Sequence, residues 1–565
     1  MLRLSELKLP LDHDGDALVE AICRRLRLRP GQLRAHRLVK RSVDARKTGA
    51  IRLVYCLDLE LALPPAAEAR LLERFRGDPH LRPTPDERYR PVARADGAAA
   101  ERRPLVVGAG PCGYFAALLL AQMGWRPLLL ERGKAVKERT ADTFGFWHGR
   151  RRFDPGSNAQ FGEGGAGTFS DGKLYSQVSE NPATIRKVLE ELVAAGADPE
   201  ILTLHHPHIG TFKLATVVRG LRARIEGLGG EVLFGRHVVE LLLLGDGPER
   251  RLVGVRLADG TAIATGHLVL APGHSARDTF AMLHRLGVAM EPKPFAVGVR
   301  IEHPQALVDR ARWGEAAGHP RLGPAEYKLV HHGNGDGGGG AGRSVYSFCM
   351  CPGGLVVGAT SEEGCVVTNG MSQHSRRERN ANSGLVVPIT REDLAPYAQE
   401  GEEALAGIAF QRHWERQAFH AGGDDYRAPA QWLEDFLARR PSREAPPEAV
   451  VGSYRPGLRF GSLDGCLPDY VLEAIRGALP VFARRIPGYT MPGALLTGVE
   501  TRTSSPLRLQ RHPTSLESLN TPGLFPAGEG AGHAGGILSA AIDGIKVAEA
   551  VALSLGTPRR STAPP

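Results

Sequence analysis

Three glycines and a later acid form the clearest chemical pattern in this chain. Gly108, Gly110 and Gly113 lie between a short apolar run, which predicts a buried strand, and a longer apolar stretch, which predicts a helix. In such a unit the glycines let the backbone turn tightly and approach a pyrophosphate, which the N–H groups of the helix then bind. A second predicted strand, about twenty residues on, ends in Glu131, an acid suited to a ribose 2′-OH, with Arg132 beside it. The pattern predicts a dinucleotide-binding turn.

A second glycine-rich loop lies near the C-terminus, between a predicted strand and a long apolar helix. It contains Gly528, Glu529, Gly535, Gly536 and Ile537. This loop resembles the closing motif of FAD-dependent oxidoreductases. There an acid binds the ribityl chain, and the helix N-terminus faces the flavin and stabilises negative charge on it. The resemblance assigns the first role to Glu529, although Asp is the usual acid.

Two shorter strings favour FAD over NAD. Val238 lies in a predicted strand that resembles the one holding the adenine edge in flavoproteins. Ala271 and Gly273 end another strand that resembles a flavoprotein strand end, with Pro272 where Thr is more usual. Each string alone is equally well an ordinary strand, but their order between the two glycine loops predicts FAD. A second glycine turn is not evident, so NAD(P)H stays open as an electron donor without a dedicated domain.

The segment that ends at Lys173 is too rich in glycine for a regular element. We expect it to lie along the flavin, with Gly164 and Gly165 in contact with the cofactor. Lys173 would then hold negative charge on the reduced flavin or on an acidic substrate. A mobile surface loop is the alternative.

Cys349 and Cys351 occupy an otherwise apolar predicted strand. A separation of two residues puts both thiols on one face of a strand, which favours a redox pair beside the flavin or a nucleophile. The alternative is a pair of small buried hydrophobic residues. A zinc-like set of Cys and His is absent from the sequence, so no metal site is predicted.

Arg502 and His533 complete the catalytic candidates. Arg502 lies in a densely polar stretch after an apolar strand, and its guanidinium suits a substrate carboxylate or phosphate. Capping of backbone in a tight turn is the equal alternative. His533, in the closing loop, is a candidate general acid or base, against a histidine that only hydrogen-bonds loop backbone.

Composition limits the remaining classes of protein. The chain has 565 residues, of which 42% are hydrophobic and 24% charged, and this balance excludes collagen-like, coiled-coil and disordered chains. Seven cysteines make no disulfide framework. The first residues carry charges where a signal peptide needs an apolar run. The least charged long stretch, 104–125, contains Pro111 and four glycines. We therefore expect a soluble, cytoplasmic protein without a membrane span.

Patterning along the chain predicts its organisation. The units are a small basic module (1–75), a linker (76–103), the first part of the FAD-binding domain (104–290), an inserted substrate domain (291–495), the C-terminal part of the FAD-binding domain (496–556) and a flexible tail (557–565). Eleven basic residues and one acid lie between Arg24 and Arg52. Such a run is usually a solvated face, and otherwise binds RNA, an acidic protein or an anionic substrate. Few aromatic residues accompany it, which weakens the RNA interpretation.

Several longer strings resemble one family of largely uncharacterised FAD-dependent dehydrogenases of bacteria and plastids. They lie at 42–46, 162–174, 296–305, 347–354, 368–372 and 498–506. The resemblance spans nearly the whole chain and implies an α/β fold. Its expected parts are a Rossmann-like FAD-binding core of the glutathione-reductase type, interrupted by an α+β substrate domain and preceded by a small ferredoxin-like α/β module.

The sequence thus predicts an FAD-dependent oxidoreductase that transfers hydride between flavin N5 and an unidentified small substrate, with anionic molecules among the candidates. A flavoprotein that acts on RNA through the basic module and a non-catalytic flavin-binding redox sensor are the alternatives. The oligomeric state is left open.

Overall fold

The computed structural model of the protein describes residues 1–96, 102–175, 180–245, 247–333 and 342–556. The predicted flexible tail, 557–565, lies outside the described residues. Within these ranges, none of the helices has the length and apolar character needed to cross a membrane.

The N-terminal module is a four-stranded antiparallel sheet with two helices. Its elements are β1 (Leu2–Pro10), α1 (Ala17–Leu26), β2 (Leu33–Asp44), β3 (Arg52–Leu61), α2 (Pro65–Arg74) and β4 (Leu81–Pro83). The strand order is β2-β3-β1-β4. Alternate residues of β1 point to one face, where Leu2 and Leu4 pack with Ile22, Leu26 and Leu71 of the helices in a buried core. Because β4 pairs with β1, the module reaches residue 83, inside the stretch predicted as a linker.

Strands and helices alternate through the next part of the chain, as predicted. The elements are β5 (Leu105–Val107), α3 (Pro111–Gln122), β6 (Leu128–Leu130), α4 (Val136–Trp147), α5 (Pro182–Ala194), α6 (Thr211–Gly227), β7 (Glu231–Leu233), β8 (Val238–Leu244), β9 (Arg251–Leu257), β10 (Ala262–Ala264), β11 (Leu268–Leu270) and α7 (Arg277–Arg285). Strands β8, β9 and β10 form a separate antiparallel sheet, which shares an apolar core with β5 and β6.

The middle of the chain builds a large, mainly antiparallel sheet covered by helices. Its elements are β12 (Met290–Pro292), β13 (Phe295–Pro304), α8 (Gln305–Trp313), β14 (Val330–His331), β15 (Val345–Cys351), β16 (Gly354–Gly358), β17 (Thr368–Ser372), β18 (Asn380–Ile389), α9 (Arg391–Leu394), α10 (Ala406–Gly422), β19 (Ala428–Trp432), α11 (Leu433–Leu437), β20 (Leu458–Phe460), α12 (Asp469–Arg485) and β21 (Leu495–Glu500). Seven strands join in the order β14-β15-β18-β13-β21-β19-β20, with β16 and β17 in a separate pair. Because β21 pairs with β13 and β19, this region extends to Glu500 and does not end at 495.

The C-terminal segment completes the parallel sheet. It contains β22 (Leu507–Leu509), β23 (Leu524–Pro526) and α13 (Ile537–Gly556). Strand β23 pairs with β11, which gives five parallel strands in the order β23-β11-β5-β6-β7. Helix α3 packs against α13, where a Cβ on Gly544 would overlap the Cys112 carbonyl oxygen. A helix covered on all sides is apolar all round, which explains the uniform sequence of α3. The chain is a mixed α/β protein, as predicted.

Candidate functional site

One cavity of about 1740 Å3 lies at the carboxyl ends of the parallel strands, where sheets of this kind bind their ligands. Gly108 follows β5, Glu131 follows β6, Ala271 follows β11 and Gly528 comes just after β23, and all four residues line this cavity. The two glycine loops, which lie at opposite ends of the sequence, therefore face one space. From there the cavity continues to β15 and to β2 of the N-terminal module.

The turn after β5 leaves no room for side chains. Gly108 has a φ of +104°, and a Cβ on it would overlap the Ala271 carbonyl oxygen. A Cβ on Gly113 would overlap the carbonyl oxygen of Gly108. Gly110 is the N-cap of α3 and lines the cavity together with Pro111. The N-terminus of a well-packed helix thus opens into the cavity, in the arrangement that binds a phosphate.

Glu131 is buried and joins three segments of backbone. Its carboxylate accepts hydrogen bonds from the N–H groups of Ala109 (2.8 Å), Gly133 (2.9 Å) and Gly162 (2.9 Å). The acid therefore holds the phosphate-binding turn against the 162–173 loop. It also lines the cavity, so the prediction that it binds a ribose hydroxyl stays open.

A second acid, Asp278, contacts two basic side chains at the predicted adenine end of the cavity. Asp278 accepts a hydrogen bond from Arg132 at 2.9 Å and lies 3.0 Å from His237 Nε2. The Arg132 guanidinium also lies over the Phe161 ring, 4.2 Å from its centroid. All but Asp278 line the cavity, as does the adjacent Val238. The structure thus brings two of the predicted cofactor residues, Arg132 and Val238, to one end of the site.

The 162–173 loop packs tightly against the phosphate-binding turn. The Gly164 N–H donates to the Ala109 carbonyl at 2.8 Å, and a Cβ on Gly165 would lie 3.0 Å from the Gly110 Cα. Gly165 lines the cavity, whereas Gly164 is not among its described lining residues. A Cβ on Gly164 would overlap the Thr168 hydroxyl, so Gly164 allows the loop to fold tightly. It does not line the cavity, although the prediction of a cofactor contact required this. The packing favours the cofactor interpretation over a mobile surface loop.

The closing loop is fixed by an ion pair. The Gly528 N–H, at a φ of +76°, donates to Asp543 Oδ2 at 2.7 Å, and the same carboxylate pairs with Arg511 at 2.6 Å. Glu529 faces the cavity and lies 3.4 Å from His274 Nδ1.

The start of α13 borders the same space. Gly535, Gly536 and Ile537 all line the cavity, and a Cβ on either glycine would meet no atom within 4 Å. The helix N-terminus predicted to face the flavin is therefore open to the cavity.

Lys173 lies at the junction between the glycine loops and the middle sheet. Its ammonium donates to the Met350 carbonyl and lies 3.4 Å from Asp171 Oδ2. Asp171 is itself paired with Arg376, whose guanidinium also contacts Glu326 at 2.8 Å. Burial lowers the pKa of Lys173, but negative charge on the cysteine pair and on Asp171 outweighs burial and raises the pKa. Lys173 is therefore a cation in the wall of the cavity.

The two cysteines of β15 do not share one face in the predicted way. The pairing of β15 with β18 is irregular between Phe348 and Cys351, and Cys349 has a φ of +44°. This local departure from a regular strand breaks the period of two on which the prediction depended. Cys349 lines the cavity, whereas Cys351 is buried behind it and donates to the Cys349 carbonyl at 3.3 Å.

The thiols also differ in their electrostatic surroundings. The neighbouring Cys351 side chain lowers the pKa of Cys349, and Lys173 and Arg300 lower it further against the effect of burial. The Cys349 side chain and burial raise the pKa of Cys351. At neutral pH the arrangement favours a thiolate at Cys349 and a thiol at Cys351. The interpretation of two inert hydrophobic residues therefore fits Cys351 better than Cys349.

Comparisons with known proteins agree with this geometry. A family model described as "FAD-dependent protein, C-terminal domain-like" matches residues 294–503, and a domain of unknown function (DUF8436) matches residues 1–60. An uncharacterized protein of Clostridium beijerinckii is 43% identical over 561 residues, which cover 99% of this chain and 100% of the relative. The chain belongs to a family of uncharacterised FAD-dependent proteins.

Among solved structures, CtdE in complex with FAD has a TM-score of 0.31 at 12% identity and covers 80% of this chain and 84% of its own. PqsL, a probable FAD-dependent monooxygenase from Pseudomonas aeruginosa, has a TM-score of 0.31 at 15% identity and covers 80% of this chain and 85% of its own. Both similarities are weak.

Membership of this family confirms the predicted cofactor, FAD, and a redox role. The residues present fit that cofactor. Gly108 and Gly113 let the turn and helix α3 pack closely against backbone, and the N-termini of α3 and α13 border one cavity. Glu131 and Glu529, the two acids predicted to accept hydrogen bonds from FAD hydroxyls, both line this cavity.

The Arg502 guanidinium is paired within the protein and is not the free substrate clamp that was predicted. Its guanidinium pairs with Glu415 at 2.9 and 2.7 Å and donates to the hydroxyls of Ser275 and Ser361. Glu415 also pairs with Arg277 at 2.8 and 2.9 Å. Arg502 borders the cavity, but its donors are used within the protein. It joins the FAD-binding part to α10 of the middle region.

The same cluster contains the only described group of His, Cys, Asp and Glu with metal-ligand spacing, which is Glu362, Cys365 and Glu415. Glu362 pairs with Arg277 and Arg412, and Glu415 is saturated as described above. The arginine guanidinium groups therefore already neutralise the carboxylates of Glu362 and Glu415, as a metal ion otherwise would.

His533 lies outside the described wall of the cavity. Its Nε2 lies 2.9 Å from the Leu509 carbonyl oxygen, to which it donates in the corresponding tautomer. Burial and the nearby Arg511 lower its pKa to about 4. The structure favours the alternative of a histidine bonded to loop backbone over the predicted acid or base.

Sequence reasoning missed the far wall of the cavity. Tyr175 stacks on His206, and His206 stacks on His205, with ring centroids 4.3 Å apart in both pairs. Lys40 and Arg41 of β2 lie beside them. The sequence signal was present in the adjacent histidines at 205 and 206, but only the fold brings them to β2.

Proposed function

We propose that this protein is an FAD-dependent oxidoreductase that acts on a small anionic substrate, held in the cavity between the two glycine loops and β15. One observation carries the proposal. A single cavity connects the glycine loops to Lys173 and Cys349, so a cofactor and a substrate can share it. When bound, FAD supplies the two-electron redox chemistry, which the sequence predicts to be hydride transfer at N5.

The nucleotide half would be bound mainly by backbone. The N-terminus of α3 at Gly110 and Pro111 offers N–H groups to the diphosphate, and Glu131 accepts a hydrogen bond from a ribose hydroxyl. Glu529 would take the ribityl hydroxyls, and the N-terminus of α13 would stabilise negative charge near Gly536.

Lys173 would orient the substrate. Its partner Asp171 is shared with Arg376, so that carboxylate does not neutralise Lys173 alone. A buried ammonium attracts a carboxylate more strongly than an exposed one, because water screens it less. The same charge would stabilise negative charge that develops during the reaction.

Cys349 is the group best suited to move a proton. As a thiolate its Sγ would accept a proton from the substrate during oxidation and return it during reduction. The Cys351 thiol would stay protonated, so the two neighbouring sulfurs would carry a single negative charge between them.

We also infer the subtype of each fold. The β-α-β-β-α-β order of the N-terminal module supports a ferredoxin-like fold. A parallel sheet interrupted by the middle region and completed by β23 supports a core of the glutathione-reductase type.

The test is anaerobic reduction of the bound flavin. The protein is purified gently, its FAD content is measured, and pools of small carboxylic acids, NADH and NADPH are added while the flavin absorption is followed. We expect a yellow protein whose flavin is bleached by at least one pool, more slowly in Lys173→Gln than in the surface control Lys213→Gln. A colourless protein that takes up no FAD, or a flavin that no pool reduces, contradicts the proposal.

A further inference from the structure

The N-terminal module is built into the rest of the molecule along one strand. In its sheet β2 is an edge strand, with unpaired backbone groups on one side. The Arg41 N–H donates to the Thr203 carbonyl at 2.7 Å, and the His205 N–H donates to the Arg41 carbonyl at 3.0 Å. Residues 203–205 of the FAD-binding part therefore cover this edge as a short parallel bridge.

A shared apolar core holds the same contact. Ala45 and Ile51 of the module are buried in one cluster with residues of the middle region, namely Val308, Trp313, Ala325, Met350 and Ala381. Polar bonds lie beside it. Arg321 Nη1 donates to the carbonyls of Leu11 (2.9 Å) and His13 (2.8 Å). The module is thus fixed against both other parts of the chain.

This docking makes β2 a wall of the FAD cavity. Residues 39–43 line it, and Arg312, Arg321 and Lys328 line the same end. Glu326, an acid at this end, is already bonded to Arg376 and Tyr175. Basic groups therefore exceed acidic ones along this part of the wall.

Lys40 is the cation of β2 that remains available. It is exposed, and within the described ranges its ammonium has no ion pair, whereas Arg41 pairs with Glu200 at 3.3 Å. Burial lowers the pKa of His205 to about 4, and it also lowers the pKa of His206, with a smaller contribution from Lys40 in both cases. His206 lies between Tyr175 and His205, so the imidazoles offer N–H donors and the His205 end of the stack offers a flat face to one ligand.

About half of the basic run of the module is paired with acids. Six of its eleven basic residues pair with acids of the described chain. They are Arg24, Arg25, Arg34, Arg37, Arg41 and Arg46. Five have no ion pair among the described residues, and of these five it is Lys40 that lines the cavity.

We propose that Lys40 and the His205–His206 stack form an anion-binding subsite of the FAD cavity, which makes the N-terminal module a specificity element for flat, anionic substrates such as aromatic carboxylates. The subsite rests on the proposed function, because it binds the end of the substrate that lies away from the FAD-binding loops.

Calorimetry on the FAD-loaded, full-length protein tests the subsite, with benzoate and inorganic phosphate as probes. We expect wild type to bind benzoate, and Lys40→Gln to bind it about tenfold more weakly, the usual effect of losing one charge-assisted hydrogen bond. Lys40→Arg retains most of the affinity, because the positive charge remains. The matched control is Lys47→Gln, which removes an exposed lysine of the same module that is not part of the described wall and leaves the affinity unchanged.

The remaining outcomes are equally decisive. Tighter binding of benzoate than of phosphate supports a flat ligand, whereas equal binding of both overturns that part of the inference. Wild-type protein that binds neither probe, or Lys40→Gln that binds benzoate like wild type, overturns the subsite. RNA binding that Lys40→Gln and Lys47→Gln weaken alike overturns it in favour of a nucleic-acid face. None of these results depends on flavin reduction, so failure of the subsite is distinguishable from failure of the proposed function.

Discussion

The two ends of the FAD cavity are built in opposite ways. At the nucleotide end, backbone forms most of the wall, since Gly108 and Gly113 let backbone segments pack closely and Glu131 accepts hydrogen bonds from three N–H groups. At the other end, side chains from three separate parts of the chain converge, with Lys173, Cys349 and Lys40 on different elements. A site made of backbone tolerates no added side chain, whereas a site made of converging side chains can change its ligand by substitution. Under the proposed function, the first end would hold the cofactor and the second would select the substrate.

The largest expected effect is at Gly108. A valine there would overlap the Ala271 carbonyl and would have to adopt a φ of +104°, which β-branched residues avoid. We expect Gly108→Val to lose bound FAD, as measured by flavin absorption per chain after purification. Gly227→Ala is the control, because a Cβ there meets no atom within 4 Å. A yellow Gly108→Val protein would show that FAD binding does not depend on the tight backbone turn at Gly108.

A substitution of Arg502 tests whether this residue is a structural ion pair or a substrate clamp. If it is a structural joint, Arg502→Met leaves Glu415 with one guanidinium fewer and lowers the stability by about 3 kcal/mol, as for other broken buried pairs. The Tm measures this loss, and Arg508→Met, which breaks an exposed pair at 3.7 Å with Glu291, serves as the control with little change. An unchanged Tm with weaker substrate binding would restore Arg502 as a clamp.

Lys173 sharpens the comparison, because its loss should affect only the substrate end. Lys173→Gln is expected to keep its FAD while the flavin is reduced about 100-fold more slowly, the usual cost of removing one electrostatic stabiliser. Stopped-flow absorption measures the rate. If this variant loses FAD instead, Lys173 belongs functionally to the nucleotide end.

Cys349 gives the smallest effect and the pH dependence. Because its pKa is lowered, the thiolate persists at neutral pH and is lost only as the pH falls through that lowered pKa. We expect one thiol to be alkylated by iodoacetamide about tenfold faster than an ordinary cysteine at pH 7. Cys349→Ser should abolish this fast phase, and Cys23→Ser should leave it intact. A fast phase that survives in Cys349→Ser assigns the reactive thiol elsewhere.

The same contrast explains what the sequence could predict. The turn at 108–113 and Glu131 are neighbours in sequence, so local spacing was sufficient to find them. The closing loop was found through its resemblance to a known motif. Lys173 was found because it ends a glycine-rich loop.

Predictions failed where long-range packing decides. The irregularity at Cys349 depends on the pairing of β15 with β18, and the partner of Arg502, Glu415, comes from a helix that the sequence did not connect with it. The contact of β2 with residues 203–205 was not predicted, because a parallel bridge between distant segments leaves no local pattern.

The positions of β23 and α13 in the chain determine how late in synthesis the fold can be completed. Both elements come from the last part of the chain, yet β23 completes the parallel sheet and α13 covers the wholly apolar helix α3. Until the ribosome has made these residues, α3 lacks its cover, and exposed apolar helices of unfinished chains are prone to aggregate. A chain terminated before Leu524 would contain every residue of the phosphate-binding turn and still be unable to mature into a flavoprotein.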